Sequence, residues 1–277
     1  MVRNASDVWV NQSRQWDLVG SPLRPSQEDD AARKILMDRW LRPGEPDLAV
    51  ILGVTPEITR MPWPVQTRVL AIDISPNMIG RVWSSDRTGP DRAICADWLQ
   101  LPLAPDSVDF VASDGCFGVL RYPDQHVALL RSLRRTLRED GLFVFRIFVQ
   151  PESSETRESI YGDVMEEATG SFHAFKLRLL MAAQQNSATG VCTGDVWNSW
   201  TSDGPGAESL ASRRHWPMAQ ISTIEAYRNQ TSTYFFPTAD EIRNLLAEEG
   251  FIELQCLTPS YKLGDRCPTF ACRPAPR

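Results

Sequence analysis

Residues 48–57 read Leu-Ala-Val-Ile-Leu-Gly-Val-Thr-Pro-Glu: five apolar residues, one glycine, and then the opening of a helix. An apolar run of five is short for a helix and suits a strand covered on both faces, as in a parallel sheet. Thr55-Pro56-Glu57 offers an N-cap, a proline at the first helical position and an acid in the first turn. A strand that ends on glycine and feeds a helix is where α/β proteins bind nucleotides. Glycine admits close approach of the backbone, and the helix start aims its amides at the ligand.

The same unit recurs downstream. Residues 68–74, 92–96, 108–113 and 142–149 read as further strands buried on both faces, separated by helical segments. Ser75-Pro76 repeats the capping device, Asp124 caps a helix over 125–139, and Gly141 ends it. Upstream, 29–40 reads as an amphipathic helix stopped by Pro43 and Gly44. Strands alternating with helices at this spacing predict a doubly wound, mostly parallel α/β sheet. Residues 151–235 break the alternation with helical stretches at 154–168 and 171–186 and a Gly/Ser/Trp-rich loop at 194–216. Thr238-Ala-Asp-Glu241 is a capping box, and its helix runs to Gly250 before strands at 251–257 and 268–273.

Totals narrow the partners. A formal charge of −6 argues against a nucleic-acid backbone. The basic cluster Arg131, Arg134, Arg135 and Arg138 has the 3–4 spacing of a solvated helix face. No apolar stretch reaches membrane-spanning length, and residues 1–16 show no apolar core of a secretion signal. Cys95, Cys116, Cys192, Cys256, Cys267 and Cys272 form no CxxC pair, and the three histidines no i, i+4 pair. No metal is expected, and the thiols are read as free in a reducing cytoplasm.

Ligands of open parallel sheets lie across the carboxyl ends of the strands. The first strand ends at Gly53. The second ends at Asp73, placed to accept both hydroxyls of a ribose. The third ends at Asp97, which can accept from an adenine amino group while Trp98 covers the ring. The fourth runs into Ser113-Asp114-Gly115-Cys116-Phe117, and the fifth into Arg146. A dinucleotide needs G-x-G-x-x-G around its pyrophosphate, and this loop brings the acid Glu57 there instead. A nucleoside without phosphates, such as S-adenosylmethionine, suits it better.

Three segments carry a family resemblance: Ala-Ile-Asp-Ile-Ser-Pro-Asn-Met-Ile (71–79), Ala-Asp-Trp-Leu-Gln-Leu-Pro-Leu-Ala-Pro-Asp-Ser-Val-Asp-Phe-Val (96–111) and Leu-Arg-Glu-Asp-Gly-Leu-Phe-Val-Phe (137–145). Over about 46–150 the chain resembles the class I S-adenosylmethionine-dependent methyltransferases. The departure is the first motif, with Ile51 in place of the usual acid and Thr55 and Glu57 in place of the later glycines. The resemblance implies a seven-stranded Rossmann-like sheet in one domain. Within it, 1–45 form an N-terminal helical cap, 46–150 the nucleotide-binding core, 151–235 a helical insertion over the acceptor site, and 236–277 the closing helix and strand pair. It implies S-adenosylmethionine as cofactor and S-adenosylhomocysteine as product, with Asp73 on the ribose, Asp97 on the adenine, and Ser75 and Met78 flanking the nucleoside. Gly53, Val54, Thr55, Ile74, Trp98, Asp114 and Gly115 complete the expected cofactor contacts. Arg24 is expected on the carboxylate of the cofactor's methionine part.

At the acceptor end two residues are candidates for catalysis. Asp114 could orient the acceptor or take its proton, or else bond nearby loop amides. His173, in Ser171-Phe-His-Ala-Phe-Lys-Leu-Arg-Leu-Leu-Met181, could be a general base or a hydrogen-bonded structural histidine. Trp16, Cys116, Phe117, Arg146, Trp197 and Trp200 are expected around the substrate. The leading reading is a cytoplasmic enzyme that methylates a small molecule, an aromatic one among the candidates, without nucleic-acid or membrane partners and with a homodimer left open. Two others compete: a catalytically inactive binding or regulatory protein of the same fold, and an NAD-linked oxidoreductase.

Overall fold

The computed structural model describes residues 6–84, 91–166 and 169–276. Seven strands form one sheet: β1 (Leu48–Leu52), β2 (Arg68–Asp73), β3 (Arg92–Cys95), β4 (Val108–Asp114), β5 (Leu137–Arg146), β8 (Phe251–Leu257) and β9 (Thr269–Pro274). Two short strands, β6 (Val191–Cys192) and β7 (Thr233–Tyr234), pair separately. The order across the large sheet is β3-β2-β1-β4-β5-β9-β8. Strands β1 to β5 are mutually parallel, and β9 runs antiparallel to both β5 and β8. The chain winds outward from β1 to β3 and then returns to place β4 on the other side of β1. That reversal leaves a crevice above the carboxyl ends of β1 and β4.

The period of two in the central strands explains the layers. Val50 and Leu52 face a core closed by Leu129, Leu130 and Leu133 of the helix Asp124–Thr136. Ala49 and Ile51 face the opposite core, closed by Leu36 and Met37 of the helix Gln27–Trp40. Each face therefore buries alternate residues of one strand. The helix at 27–40, begun by a Ser26–Asp29 capping box, is thus a layer of the sandwich as well as part of an N-terminal cap. Residues before it reach the carboxyl end of the sheet.

Residues 151–235 carry their own core of Phe172, Phe175, Leu179, Val196, Trp200 and Leu210, continuous with Phe148 and Phe236 at the sheet edge. The expected loop at 194–216 is instead two helices, Thr193–Asp203 and Ala207–Arg214. The apolar face of Val196 and Trp200 buries against Phe175, and burial overrides the weak local propensity of Gly, Ser and Thr. Gly141 does not end the helix of 125–139. That helix stops at Thr136, and β5 begins at Leu137. A Cβ on Gly141 would lie 3.0 Å from the Arg138 carbonyl oxygen and 3.1 Å from that of Val108, so close backbone approach in the irregular start of β5 explains the glycine. Among the described residues no helix is long and apolar enough to cross a membrane.

Candidate active site

Gly53 ends β1 at φ +96°, a conformation that side chains rarely adopt. Its amide donates to the Ile72 carbonyl at 2.7 Å, and Trp98 Nε1 donates to the same oxygen at 2.6 Å. The indole of Trp98 is thereby fixed along one side of Gly53. A Cβ on Gly53 would meet ordinary contacts at 3.9–4.0 Å: Trp98 Cζ2, Asp73 Oδ2 and Thr55 Oγ1. The glycine thus opens onto a ring, a carboxylate and a hydroxyl.

Asp73 is 7% exposed. Its Oδ1 accepts the Ser75 amide at 2.8 Å, while Oδ2 faces Gly53. Burial raises its pKa to about 6, and the Ser75 hydrogen bond opposes the rise. Ile74 stands 55% exposed beside it. Ser75 Oγ caps the next helix through the Met78 amide, and Met78 is buried in the core. Asp97 is exposed and caps the turn at Trp98–Gln100 through the Leu99 amide. The strand-end residues expected around a nucleoside are therefore gathered at Gly53, Asp73, Ile74 and Trp98.

The first loop departs from expectation. Thr55 makes no side-chain cap, and the helix it precedes, Pro56–Thr59, is a single turn with few aligned dipoles to offer a ligand. Val54 is buried in the core. Arg24 does not project toward a cofactor carboxylate. Its Nε hydrogen-bonds Glu57 Oε1, its Nη1 reaches the Trp16 carbonyl at 3.3 Å, and its guanidinium lies 5.2 Å from the Trp16 ring centre. Glu57, the acid that stands where a glycine is usual, is thus neutralised from the N-terminal segment.

Asp114 is also redirected. Its Oδ1 accepts from Arg33 Nη2 and, at 2.6 Å, from Arg146 Nε, while Oδ2 accepts from Arg146 Nη2 at 2.9 Å. Arg146 further donates to the Pro22 carbonyl at 2.8 Å and lies 3.8 Å from Asp29, which accepts from the Tyr261 hydroxyl at 3.0 Å. Arg33, Arg146 and Asp29 are fully buried. Three of the roughly four acceptor directions of Asp114 are occupied by guanidinium N–H groups. It has little left to offer an acceptor's proton, and it joins the N-terminal segment to β4 and β5. Asp30, paired with Arg33, is raised to about 6 by burial, which outweighs the guanidinium.

Other expected substrate residues lie elsewhere. Phe117 packs edge-on to His126 and against Phe145 inside the core, and Cys116 is buried with its thiol on Ser113 Oγ. Trp200 is enclosed by Phe172 and Phe175, and Trp197 packs on the same cluster. These side chains are too apolar, or too well placed in the core, to remain at a ligand surface. His173 is 1% exposed, and its Nε2 hydrogen-bonds the Leu18 carbonyl at 2.9 Å. That bond requires the proton on Nε2, which leaves Nδ1 as a buried acceptor without a partner. Burial first, and Lys176 second, lower its pKa to about 4. His173 is a neutral tether for the N-terminal segment.

A cavity of ≈ 130 Å³ lies between the strand ends and the insertion. Thr55, Asp114 and Gly115 form its sheet side; Trp9, Gln12 and Trp16 come from the N-terminal segment. The insertion supplies Lys176, Leu177, Tyr227 and Tyr234. Trp16, expected around the substrate, is one of these lining residues, and its Nε1 is buried without a partner. Lys176 is the residue that sequence reasoning missed. It is 3% exposed, its Nζ is 3.3–3.4 Å from the Thr223 hydroxyl and carbonyl oxygens, and it lies 4.8 Å from the Tyr227 ring centre. Among the described residues no carboxylate forms an ion pair with it. Burial lowers its pKa to about 7. One signal was legible: a lysine among Phe175, Leu177, Leu179 and Leu180, on a helix apolar on two faces.

Residues 53–145 match the family model described as a methyltransferase domain. That segment of the chain is therefore similar to methyltransferase domains. Its aligned part is similar to a malonyl-[acyl-carrier protein] O-methyltransferase of Laribacter hongkongensis, 33% identical over 108 residues. That match spans 35% of this chain and 35% of the relative, about a third of its length. Solved structures share the fold over nearly the whole chain. The 1,6-didemethyltoxoflavin-N1-methyltransferase of Burkholderia thailandensis, with its substrate and S-adenosylhomocysteine bound, has a TM-score of 0.55 at 14% identity, covering 98% of this chain and 87% of that one. The N-methyltransferase NodS of Bradyrhizobium japonicum, with S-adenosylhomocysteine, has 0.50 at 13%, covering 96% and 98%. A Rhodobacter sphaeroides structure described as a zinc-dependent alcohol dehydrogenase has 0.59 at 12%, covering 95% and 98%. At such identities the likeness shows the fold alone. Among the described residues no group of His, Cys, Asp and Glu is arranged to hold a metal ion.

Proposed function

We propose that the chain is an S-adenosylmethionine-dependent methyltransferase acting on a small molecule held in the cavity between the strand ends and the insertion. The observation that carries this is Asp73: a buried carboxylate at the end of β2, raised toward neutrality, with one oxygen facing the open side of Gly53. Two ribose hydroxyls would supply the donors it lacks. Trp98 and Ile74 would cover the adenine, and the exposed Asp97 would accept from its amino group. The donor set fits a phosphate-free nucleoside, because the first loop lacks the G-x-G-x-x-G cradle that a pyrophosphate needs and leads into a single helical turn.

When bound, the cofactor supplies an electrophilic methyl group. The chain's own work is alignment and exclusion of water. Thr55 and Gly115 border the cavity from the cofactor side, while Trp9, Trp16 and Tyr227 wall the acceptor. The Arg24–Glu57 pair closes the mouth of the first loop, replacing the flexibility of a glycine-rich turn with an ion pair. That pair is also what a binding protein without turnover would show, so release of product is the step to measure. Incubation with radiolabelled S-adenosylmethionine and a panel of small aromatic acids, amines and thiols tests the reading. Label transfer to one class supports it. Tight cofactor binding with no transfer to any of them would favour the binding protein, and a preference for NAD would overturn both.

A further inference from the structure

Resting on that reading, we propose that Lys176 receives the acceptor, and that the acceptor is a compact single-ring aromatic molecule bearing an acidic hydroxyl, methylated on that oxygen. Size comes first. The cavity measures ≈ 130 Å³, and a protein cavity of about 150 Å³ accepts one benzene ring. Its walls include Trp9, Trp16, Phe148 and Tyr227, which suit a flat ring.

The polar end decides the chemistry. Lys176 is the basic side chain that lines this cavity, and its two Thr223 contacts are long and come from neutral oxygens. A buried amine without an anion is costly unless a ligand brings one. Asp114, the carboxylate on the opposite wall, is occupied by Arg33 and Arg146. An ammonium-bearing acceptor would therefore meet a lysine and no free carboxylate to take its proton. An acidic hydroxyl meets the complementary group.

The step balances within the site. The acceptor's O–H proton passes to the neutral Nζ, giving an ammonium beside an oxyanion. An oxygen lone pair then forms the new O–C bond to the methyl carbon as the C–S bond breaks, its electron pair passing to sulfur. The products are an aryl methyl ether and the thioether, and Lys176 returns its proton to solvent. The groups facing Nζ are His173 on its own helix, Tyr227 from 222–227, Tyr234 of β7 and Asp114 across the cavity. Asp114 is held in its ion pairs, His173 is neutral, and burial holds both tyrosines protonated. The lysine is then the group free to titrate near neutrality.

The test uses the whole chain saturated with S-adenosylhomocysteine, with 4-nitrophenol as probe and 4-nitroaniline as its non-acidic counterpart. Absorbance reports directly whether the bound phenol is ionised. The proposal expects wild type to bind 4-nitrophenol as phenolate at a pH where the free probe is mostly neutral, and to bind 4-nitroaniline at least ~tenfold more weakly. Lys176→Met should lose the phenolate signal and bind the phenol at least ~tenfold more weakly, with unchanged affinity for S-adenosylhomocysteine. Bound phenol that stays neutral in wild type, equal affinity for the two probes, or no binding of the phenol would each overturn the proposal while leaving cofactor binding intact. Failure of wild type to bind S-adenosylhomocysteine would instead overturn the reading beneath it. The wild-type spectrum decides the question even if the variant fails to fold.

Discussion

Two sets of charged side chains are buried at the carboxyl end of the sheet, and they are handled in opposite ways. Around Asp114, every charge has an ion-pair partner: Arg33, Arg146, Asp29 and Asp30 form one network joined by Tyr261 and the Pro22 carbonyl, with Arg33 Nε alone left without a hydrogen bond. By contrast, Asp73, beside Gly53, has one backbone hydrogen bond, and Lys176, at the cavity, has two long contacts to a threonine. The first arrangement is architecture, since it joins the N-terminal segment to β4 and β5. The second leaves desolvation uncompensated within the chain, as expected where a ligand supplies the missing partners. Charge content does not separate these regions; the presence of an opposite charge does.

That contrast predicts substitutions of unequal size and opposite sign. The largest effect belongs to the network. Arg146→Met leaves Asp114 and Asp29 buried with too few cations and should cost about 3–5 kcal/mol, read from urea unfolding. A cost below ~1 kcal/mol would show that the network is not structural. Asp114→Asn should likewise appear mainly as lost stability, with turnover per folded molecule changed by less than the ~10²–10⁴-fold expected for removing a general base. A selective collapse of kcat in a stable Asp114→Asn variant would restore Asp114 as the base.

At the cavity the sign reverses. The Lys176 pKa is about 7 in the folded chain against 10.5 for an ordinary lysine. Between these values the unfolded chain holds a proton that the folded chain has released, so wild-type stability rises with pH across that window. Below it, the amine is charged in both states and its burial penalty is fully present. Lys176→Met should therefore raise the melting temperature most near pH 6, and the gain should shrink toward nothing above pH 10.5. A destabilised variant, or a gain that grows with pH, would break the contrast. The smallest effect is expected at the first loop. Glu57→Gln removes a pair whose side chains are 18–19% exposed, and it should cost no more than about 1 kcal/mol.

What the sequence disclosed follows the same division. Strand positions, two of the capping devices and the aspartate at the end of β2 were legible because period, cap chemistry and strand ends are local properties, whereas Thr55 and Asp124 make no side-chain cap. Ser75-Pro76 and Thr238–Glu241 act as expected, and Gly53 sits at positive φ. The partners of Asp114 and Arg24 were not legible, since Arg33 lies 81 residues from Asp114 and Glu57 lies 33 from Arg24. Pairing across such separations is set by packing, which no local pattern encodes. His173 was selected by residue type, yet Lys176, one turn further along the same helix, faces the cavity. The helices at 193–214 escaped notice because their stability comes from burial of Val196, Trp200 and Leu210 rather than from propensity.

Buried charges without an opposite charge mark the ligand site, and Asp73 tests this most directly. Calorimetric titration of S-adenosylhomocysteine into wild type and Asp73→Asn measures it, with urea unfolding of both proteins alongside. Burial raises the Asp73 pKa from 3.8 to about 6, so the folded chain holds a proton that the unfolded chain has released between those values, and stability falls as pH rises through them. At pH 8 the carboxylate is charged in both states and its cost is fully present. The account predicts that Asp73→Asn is at least as stable as wild type at pH 8, while its affinity for S-adenosylhomocysteine falls by at least ~tenfold. Equal affinity in the two proteins, or a loss of stability without a loss of binding, would contradict it.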